Sequence, residues 1–191
     1  MSEPGALEPF VVADRAAWRE WLLEHEHDSD GVWLVLAKKG TTDPTSLTYP
    51  EALEEALCSG WIDGQVKSVD ATTFLRRFTP RRPRSIWSKR NVDAVTRLEA
   101  EGRLRDRGRA EIVRAQADGR WDRAYAGQAS AEVPPDLVEA LAQAPEAQAT
   151  FAALTGAARF SVLFPILTAT TDATRARRVT ALVARLQEKS G

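Results

Sequence analysis

Residues 48–79 read TYPEALEEALCSGWIDGQVKSVDATTFLRRFT, and this stretch decides the fold. Thr48 and Glu51 have the spacing of a capping box, in which two side chains satisfy free backbone N–H groups at the start of a helix. Apolar residues then recur at helical spacing, and Gly60 is placed to end the helix in a left-handed conformation. The pattern predicts a helix between Thr48 and Gly60, followed by extended chain.

The extended chain is predicted as two strands, residues 61–67 and 72–79, joined as a hairpin or meander. Side chains alternate between the two faces of a strand, so Phe78 shares one face with Arg76 whereas Arg77 takes the other. Working outward, residues 1–9 resemble a loose leader, Asp14 is placed to cap a first helix, and residues 32–37 form an apolar run typical of a buried strand.

Only helices are predicted beyond residue 85. The first is capped by Ser85 or Ser88 and runs to about Glu101, and the others are expected at about 106–117, 136–143, 145–154 and 157–169, with a last helix from about 172. The sequence therefore predicts an α+β protein, with a small, mostly antiparallel sheet packed with helices, followed by an all-helical C-terminal portion. The expected domains are an α+β core at 1–126, a linker at 127–135, which is small and polar, and a helical region at 136–191.

Composition excludes several classes of function. The chain has 191 residues and a net charge of −1, so overall attraction to nucleic acid or to an anionic membrane is not its default behaviour. No apolar run is long enough to span a bilayer, and the start of the chain lacks a signal-peptide pattern, so a cytoplasmic location is expected. One cysteine, Cys58, and two poorly placed histidines, His25 and His27, predict no metal site, and no cofactor motif is found.

Residues 71–92 form the most unusual surface. They hold seven basic and no acidic residues, which leaves 19 basic against 27 acidic residues in the rest of the chain. Arginines interleaved with aromatic residues suit a pocket for an anionic or aromatic ligand. The alternative is a solvated strand edge whose cations prevent unwanted pairing and form internal salt bridges.

Two sets of acidic residues stand out beside this surface. Asp63 lies between a Trp-Ile pair and Gly64 at a helix–strand turn, where it could hold an arginine, act as a base or simply begin the turn. Glu51, Glu54 and Glu55 are predicted to form a solvated helix face.

The chain resembles the YdeI/OmpD-associated family, also called the bacteriocin-protection family. The matching stretches are residues 49–65, 76–81, 85–91 and 117–122, and residues 174–178 (TRARR) resemble the closing pattern of that family. The resemblance implies a bacterial α+β protein with a role in tolerance to bacteriocins and cationic antimicrobial peptides, and it assigns the core at 1–126 to this family. Several positions shared with the family lie in the basic segment at 71–92 or near Asp63. The resemblance therefore predicts that they form one ligand-binding site, made of Trp61, Asp63, Gln65, Arg77, Phe78, Arg81, Trp87, Ser88 and Asn91.

The leading hypothesis is a stress or resistance protein that binds a peptide or a small anionic or aromatic ligand. Its groove would be lined by Trp61, Phe78 and Trp87, with Asp63 and Arg77 as polar contacts, and Arg77 is expected to pair with Asp63 or with a ligand anion. One alternative is a small-metabolite enzyme with Asp63 as general base and Arg77 or Arg81 orienting an anionic substrate. A second is weak nucleic-acid binding through residues 76–90, which the acidic remainder of the chain makes unlikely as the main role. The sequence leaves the oligomeric state open.

Overall fold

A computed structural model describes residues 8–188. Their elements follow in the order β1 (Pro9–Phe10), α1 (Arg15–His25), β2 (Val32–Ala37), α2 (Tyr49–Cys58), β3 (Trp61–Ser68), β4 (Thr73–Pro80), α3 (Lys89–Ala100), α4 (Asp106–Ala117), α5 (Pro135–Ala142), α6 (Pro145–Ala152), α7 (Gly156–Leu167) and α8 (Asp172–Glu188). The predicted fold class, a small sheet with helices followed by a helical C-terminal portion, is confirmed.

The chain divides into two compact units. The N-terminal unit contains the residues up to 85 together with 91–122, and the C-terminal unit contains residues 86–90 and those from 123 on. The linker predicted at 127–135, and the domain bounds built on it, stay predictions.

The sheet of the N-terminal unit has the strand order β1-β2-β4-β3. β1 runs parallel to β2, whereas β2 and β3 both pair antiparallel with β4. The sequence predicts a loose leader over residues 1–9, but Pro9 already belongs to β1, so the predicted end of the leader is wrong. Residues 1–7 lie outside the described residues. A two-residue strand has no periodicity of its own, so β1 is visible only through its pairing with β2.

Local signals set the starts of α1 and α2. The Asp14 carboxylate accepts the backbone N–H of Ala17 at 3.0 Å. The Glu51 carboxylate accepts both the backbone N–H of Thr48, at 3.0 Å, and its hydroxyl, at 2.6 Å. Gly60 follows α2 with a φ of +69°, the left-handed conformation that the sequence predicts.

An aromatic cluster forms the core between the sheet and α1. The Trp18 and Phe78 rings lie 5.7 Å apart, and Trp61 meets Trp18 and Trp21 edge to face at 6.4 and 5.8 Å. Trp18 also donates its indole N–H to the carbonyl of Ala52 at 3.1 Å, which ties α1 to α2. Aromatic side chains of this size bury large apolar areas and therefore contribute strongly to the stability of the unit.

The C-terminal unit has its own apolar core, drawn from all four helices α5–α8. Its largest fully buried members include Leu137 of α5 and Leu163 of α7. Asp136 at the start of α5 forms a bidentate ion pair with Arg175 of α8, at 2.6 and 2.8 Å. Arg175 belongs to the TRARR stretch, so that stretch helps to hold α5 against α8.

Candidate functional site

Asp63 lies at the centre of a compact polar cluster on the helix-covered face of the sheet. Its Oδ2 atom accepts the Tyr49 hydroxyl at 2.9 Å and the Arg76 Nε–H at 3.0 Å, and Arg76 Nη2 contacts the same oxygen. The Arg76 guanidinium also lies 4.8 Å from the centre of the Tyr49 ring, close enough for a cation–π contact. Each of these contacts reaches Oδ2, so Tyr49 and Arg76 together fix the position of the carboxylate.

A β-bulge positions this carboxylate. Asp63 pairs with Phe78 across the hairpin, but the next paired positions are Val66 and Arg76, so β3 contains one extra residue. Bulges redirect side chains and are common next to functional sites. The side chains of directly paired residues share a face, and Arg76 is two positions from Phe78, so Asp63, Phe78 and Arg76 all point to the same side.

The partner of Asp63 is therefore Arg76, so the predicted pairing of Arg77 with Asp63 is wrong, whereas pairing of Arg77 with a ligand anion stays a prediction. Arg77 points to the opposite face, where its side chain lies beside Gly64, and it donates to the carbonyl of Asp30 at 3.4 Å. The alternation that places Phe78 and Arg76 on one face was already readable from the sequence, and it is the signal that identifies the true partner.

The remaining predicted site residues fall into different environments. Trp61 and Phe78 are fully buried in the aromatic core, so neither side chain is open to a ligand in this conformation. Gln65 is exposed, whereas Arg81 and Asn91 are buried. Trp87 and Ser88 belong to the C-terminal unit. There the Tyr125 N–H donates to the Trp87 carbonyl at 3.0 Å, and Ser88 bridges to Tyr125. Of the predicted set, Asp63 and Gln65 thus share the β3 surface.

A second polar cluster surrounds Glu55, for which the sequence predicts a solvated helix face. That prediction is wrong, because the Glu55 residue is only 1% exposed. Its carboxylate accepts five hydrogen bonds, all between 2.7 and 3.0 Å. The donors are the guanidinium groups of Arg15, Arg19, Arg103 and Arg105.

Glu54 extends this arginine network toward solvent. It accepts hydrogen bonds from Arg15 and Arg103, at 3.1 and 3.0 Å, and from Arg97 of α3. The network joins α1, α2 and the segment between α3 and α4, so its evident role is to hold these elements together. Residue spacing could have indicated that Glu55 is buried, because it lies three residues after buried Ala52 and four before buried Ser59, on the buried side of α2.

The network decides the ionisation of Glu55. Burial by itself raises the pKa of a carboxyl, but hydrogen bonds from Arg19 and Arg15, together with their charges, outweigh burial and leave the pKa of Glu55 below its ordinary value of 4.5. The carboxylate therefore stays charged at neutral pH. Burial, followed by the negative charge of Glu55, raises the pKa of the nearby Cys58 thiol to about 11, so Cys58 is not a thiolate nucleophile at neutral pH.

Residues 8–188 contain neither a cluster of metal-binding side chains nor a membrane-spanning helix. Among these residues, no group of three His, Cys, Asp or Glu side chains is arranged to hold a metal ion. In the same part of the chain, no helix has both the length and the apolar character needed to cross a membrane.

The described chain thus combines a four-stranded α+β unit with a unit built from helices α5–α8. A family model described as a domain of unknown function (DUF8412) matches residues 10–111, more than half of the 191 residues, and the chain belongs to this family. A second model, described as bacteriocin-protection, YdeI or OmpD-associated, matches residues 130–189 and confirms the resemblance found in the sequence. This match includes the TRARR stretch but lies beyond the four motifs at 49–122. No curated protein and no solved structure matches the chain.

Proposed function

We propose that this protein contributes to tolerance of bacteriocins or cationic antimicrobial peptides by binding a peptide at the β3 surface around Asp63. The observation that carries the proposal is the geometry of that carboxylate. Tyr49 and Arg76 fix it through Oδ2, and in this proposal Oδ1 accepts a donor of the peptide such as a lysine ammonium or a backbone N–H. The match of residues 130–189 to the bacteriocin-protection model supports the same biological role.

Charge supports a cationic rather than an anionic partner. Over its described residues the N-terminal unit carries 20 acidic and 17 basic side chains. Arg76 belongs to the basic segment, but its guanidinium forms an ion pair with Asp63 within the protein rather than with a ligand anion. An excess of acidic side chains favours the approach of a cationic peptide. The small-metabolite enzyme, with Asp63 as general base, and the nucleic-acid binder stay predictions from the sequence.

The test is a tolerance assay in bacteria that express the wild-type chain, Asp63→Asn or Glu20→Gln. Glu20 is an exposed residue of α1 and controls for the loss of one negative charge. Wild type and Glu20→Gln are expected to raise the inhibitory concentration of a linear cationic antimicrobial peptide severalfold, and Asp63→Asn is expected to lose this protection. Gln65→Arg, which adds a cation at an exposed position of β3, should lose it as well, without disturbing the fold. Equal tolerance of wild type and empty vector would refute the proposal.

A further inference from the structure

The outer edge of β3 is an open sheet edge. β3 stands at one end of the strand order, and β4 is its only strand partner among residues 8–188. Residues 64–68 are all exposed. The opposite edge of the sheet is β1, which is only two residues long. An edge of this kind is a template for an added strand, and very short strands such as β1 are not.

The side chains along this edge define what a strand added there would contact. Asp63 and Val66 share one face, because their cross-strand partners Phe78 and Arg76 share it. Val66 is 56% exposed, so its side chain is open to contact from an added strand. Lys67 points to the other face, where its ammonium group lies 4.9 Å from the centre of the Trp33 ring. The face shared by Asp63 and Val66 thus presents a carboxylate whose side chain is 13% exposed and then a more exposed isopropyl group.

We infer that an extended peptide binds by adding a strand to the outer edge of β3, with a cationic side chain beside Asp63 and an apolar side chain beside Val66. This inference deepens the proposed function and rests on it for the biological role of the peptide. Main-chain hydrogen bonds to β3 supply the affinity, and the two side-chain contacts supply the preference for cationic and apolar residues. The exposed stretch of five residues spans about 17 Å, which suits a short peptide segment.

The bulge favours a flexible peptide over a second copy of this chain. Its extra residue between Asp63 and Val66 bends the edge and increases its twist. Such bending, together with a lysine such as Lys67, is how sheet edges resist pairing with the rigid edge of another folded copy. A peptide without fixed structure can follow the bend, so the same feature that blocks self-association still permits peptide binding.

The first test uses the capped heptapeptide Lys-Thr-Val-Thr-Lys-Thr-Val, which places lysine and valine on one face and threonine on the other. Titration into the ¹⁵N-labelled full chain is expected to shift the backbone amide resonances of residues 63–69. Val66→Arg should weaken binding at least tenfold through charge repulsion. Val113→Arg is the matched control, since Val113 is 62% exposed on α4, and it should bind like wild type. No shift at β3, or equal weakening by both variants, would overturn the inference.

The second test asks whether the peptide backbone makes the contact. Successive N–H groups of a strand point to opposite edges, so N-methylation of all threonines blocks one edge and N-methylation of the lysines and valines blocks the other. We expect the two modified peptides to differ in affinity by at least tenfold. Equal affinities would mean side-chain recognition alone and would overturn the inference, although the tolerance assay could still support the proposed function. A dimer in sedimentation velocity that Val66→Arg dissociates would show that the edge is occupied by a second copy instead.

Discussion

Replacing Glu55 by glutamine is expected to destabilise the N-terminal unit by about 3 kcal/mol. The Glu55 side chain is 2% exposed and accepts hydrogen bonds from four arginines. Removing one partner of a buried ion pair costs about 3–5 kcal/mol, because the remaining charge is left buried without compensation. The lower end applies here, since the Arg19 and Arg15 side chains are 47% and 32% exposed and water can solvate them in the variant.

Glu54→Gln is the matched control. Glu54 lies next in sequence and contacts two of the same arginines, but its side chain is 24% exposed, so its loss should cost only about 1 kcal/mol. Urea unfolding followed by tryptophan fluorescence measures both variants, because five of the six tryptophans belong to the N-terminal unit. Equal unfolding midpoints for the two variants would refute the claim that burial sets the strength of this network.

Wild type and Glu55→Gln also give a test of pH dependence. The pKa of Glu55 is lower in the folded state than its ordinary value of 4.5. Its contribution to stability is therefore fully present above pH 4.5 and is lost as the pH falls through the folded pKa. The difference in unfolding free energy between wild type and Glu55→Gln should therefore shrink as the pH falls below 4.5, because glutamine does not titrate. A difference that stays constant from pH 7 to pH 3 would contradict the assignment.

Four further substitutions test other parts of the fold, each by its unfolding midpoint in urea. Thr48→Ala should cost about 1 kcal/mol by removing a helix cap, and an unchanged midpoint would mean that α2 does not depend on this residue. Gly108→Ala should cost about 2–3 kcal/mol, because a Cβ atom there would lie 2.3 Å from the carbonyl oxygen of Cys58; stabilisation would contradict that close approach. Arg76→Ala should cost about 2–3 kcal/mol and Arg77→Ala less than about 0.5 kcal/mol, because only Arg76 pairs with a largely buried carboxylate, and the reverse order would overturn the pairing described.

Predictions from the sequence succeeded where a few neighbouring residues determine the structure. β2 and α4 have the predicted bounds, and α2 starts and ends at its predicted cap and glycine. These elements depend on capping, periodicity and breakers, which act over one or two helical turns. The predicted helices of the C-terminal region match to within two residues for the same reason.

The candidate site was less predictable because it depends on register and on distant contacts. A single extra residue in β3 sets how Asp63 sits relative to β4, and no local pattern announces that bulge. Trp61 and Phe78 were assigned to a groove because aromatic residues suit both binding sites and cores, and only packing against Trp18 places them in the core. Glu55 has an ordinary sequence environment, and its burial follows from arginines that approach from other parts of the chain.

The arginine network also constrains the order in which the chain can acquire its stability during synthesis. Glu55 bonds to Arg15 and Arg19, which precede it by 40 and 36 residues, and to Arg103 and Arg105, which follow it by 48 and 50. At about 5–20 residues per second, a ribosome needs roughly 2.5–10 s to translate from the glutamate to the last of these arginines. A nascent chain that ends within that interval can offer the carboxylate only Arg15 and Arg19, because Arg103 and Arg105 have not yet been made.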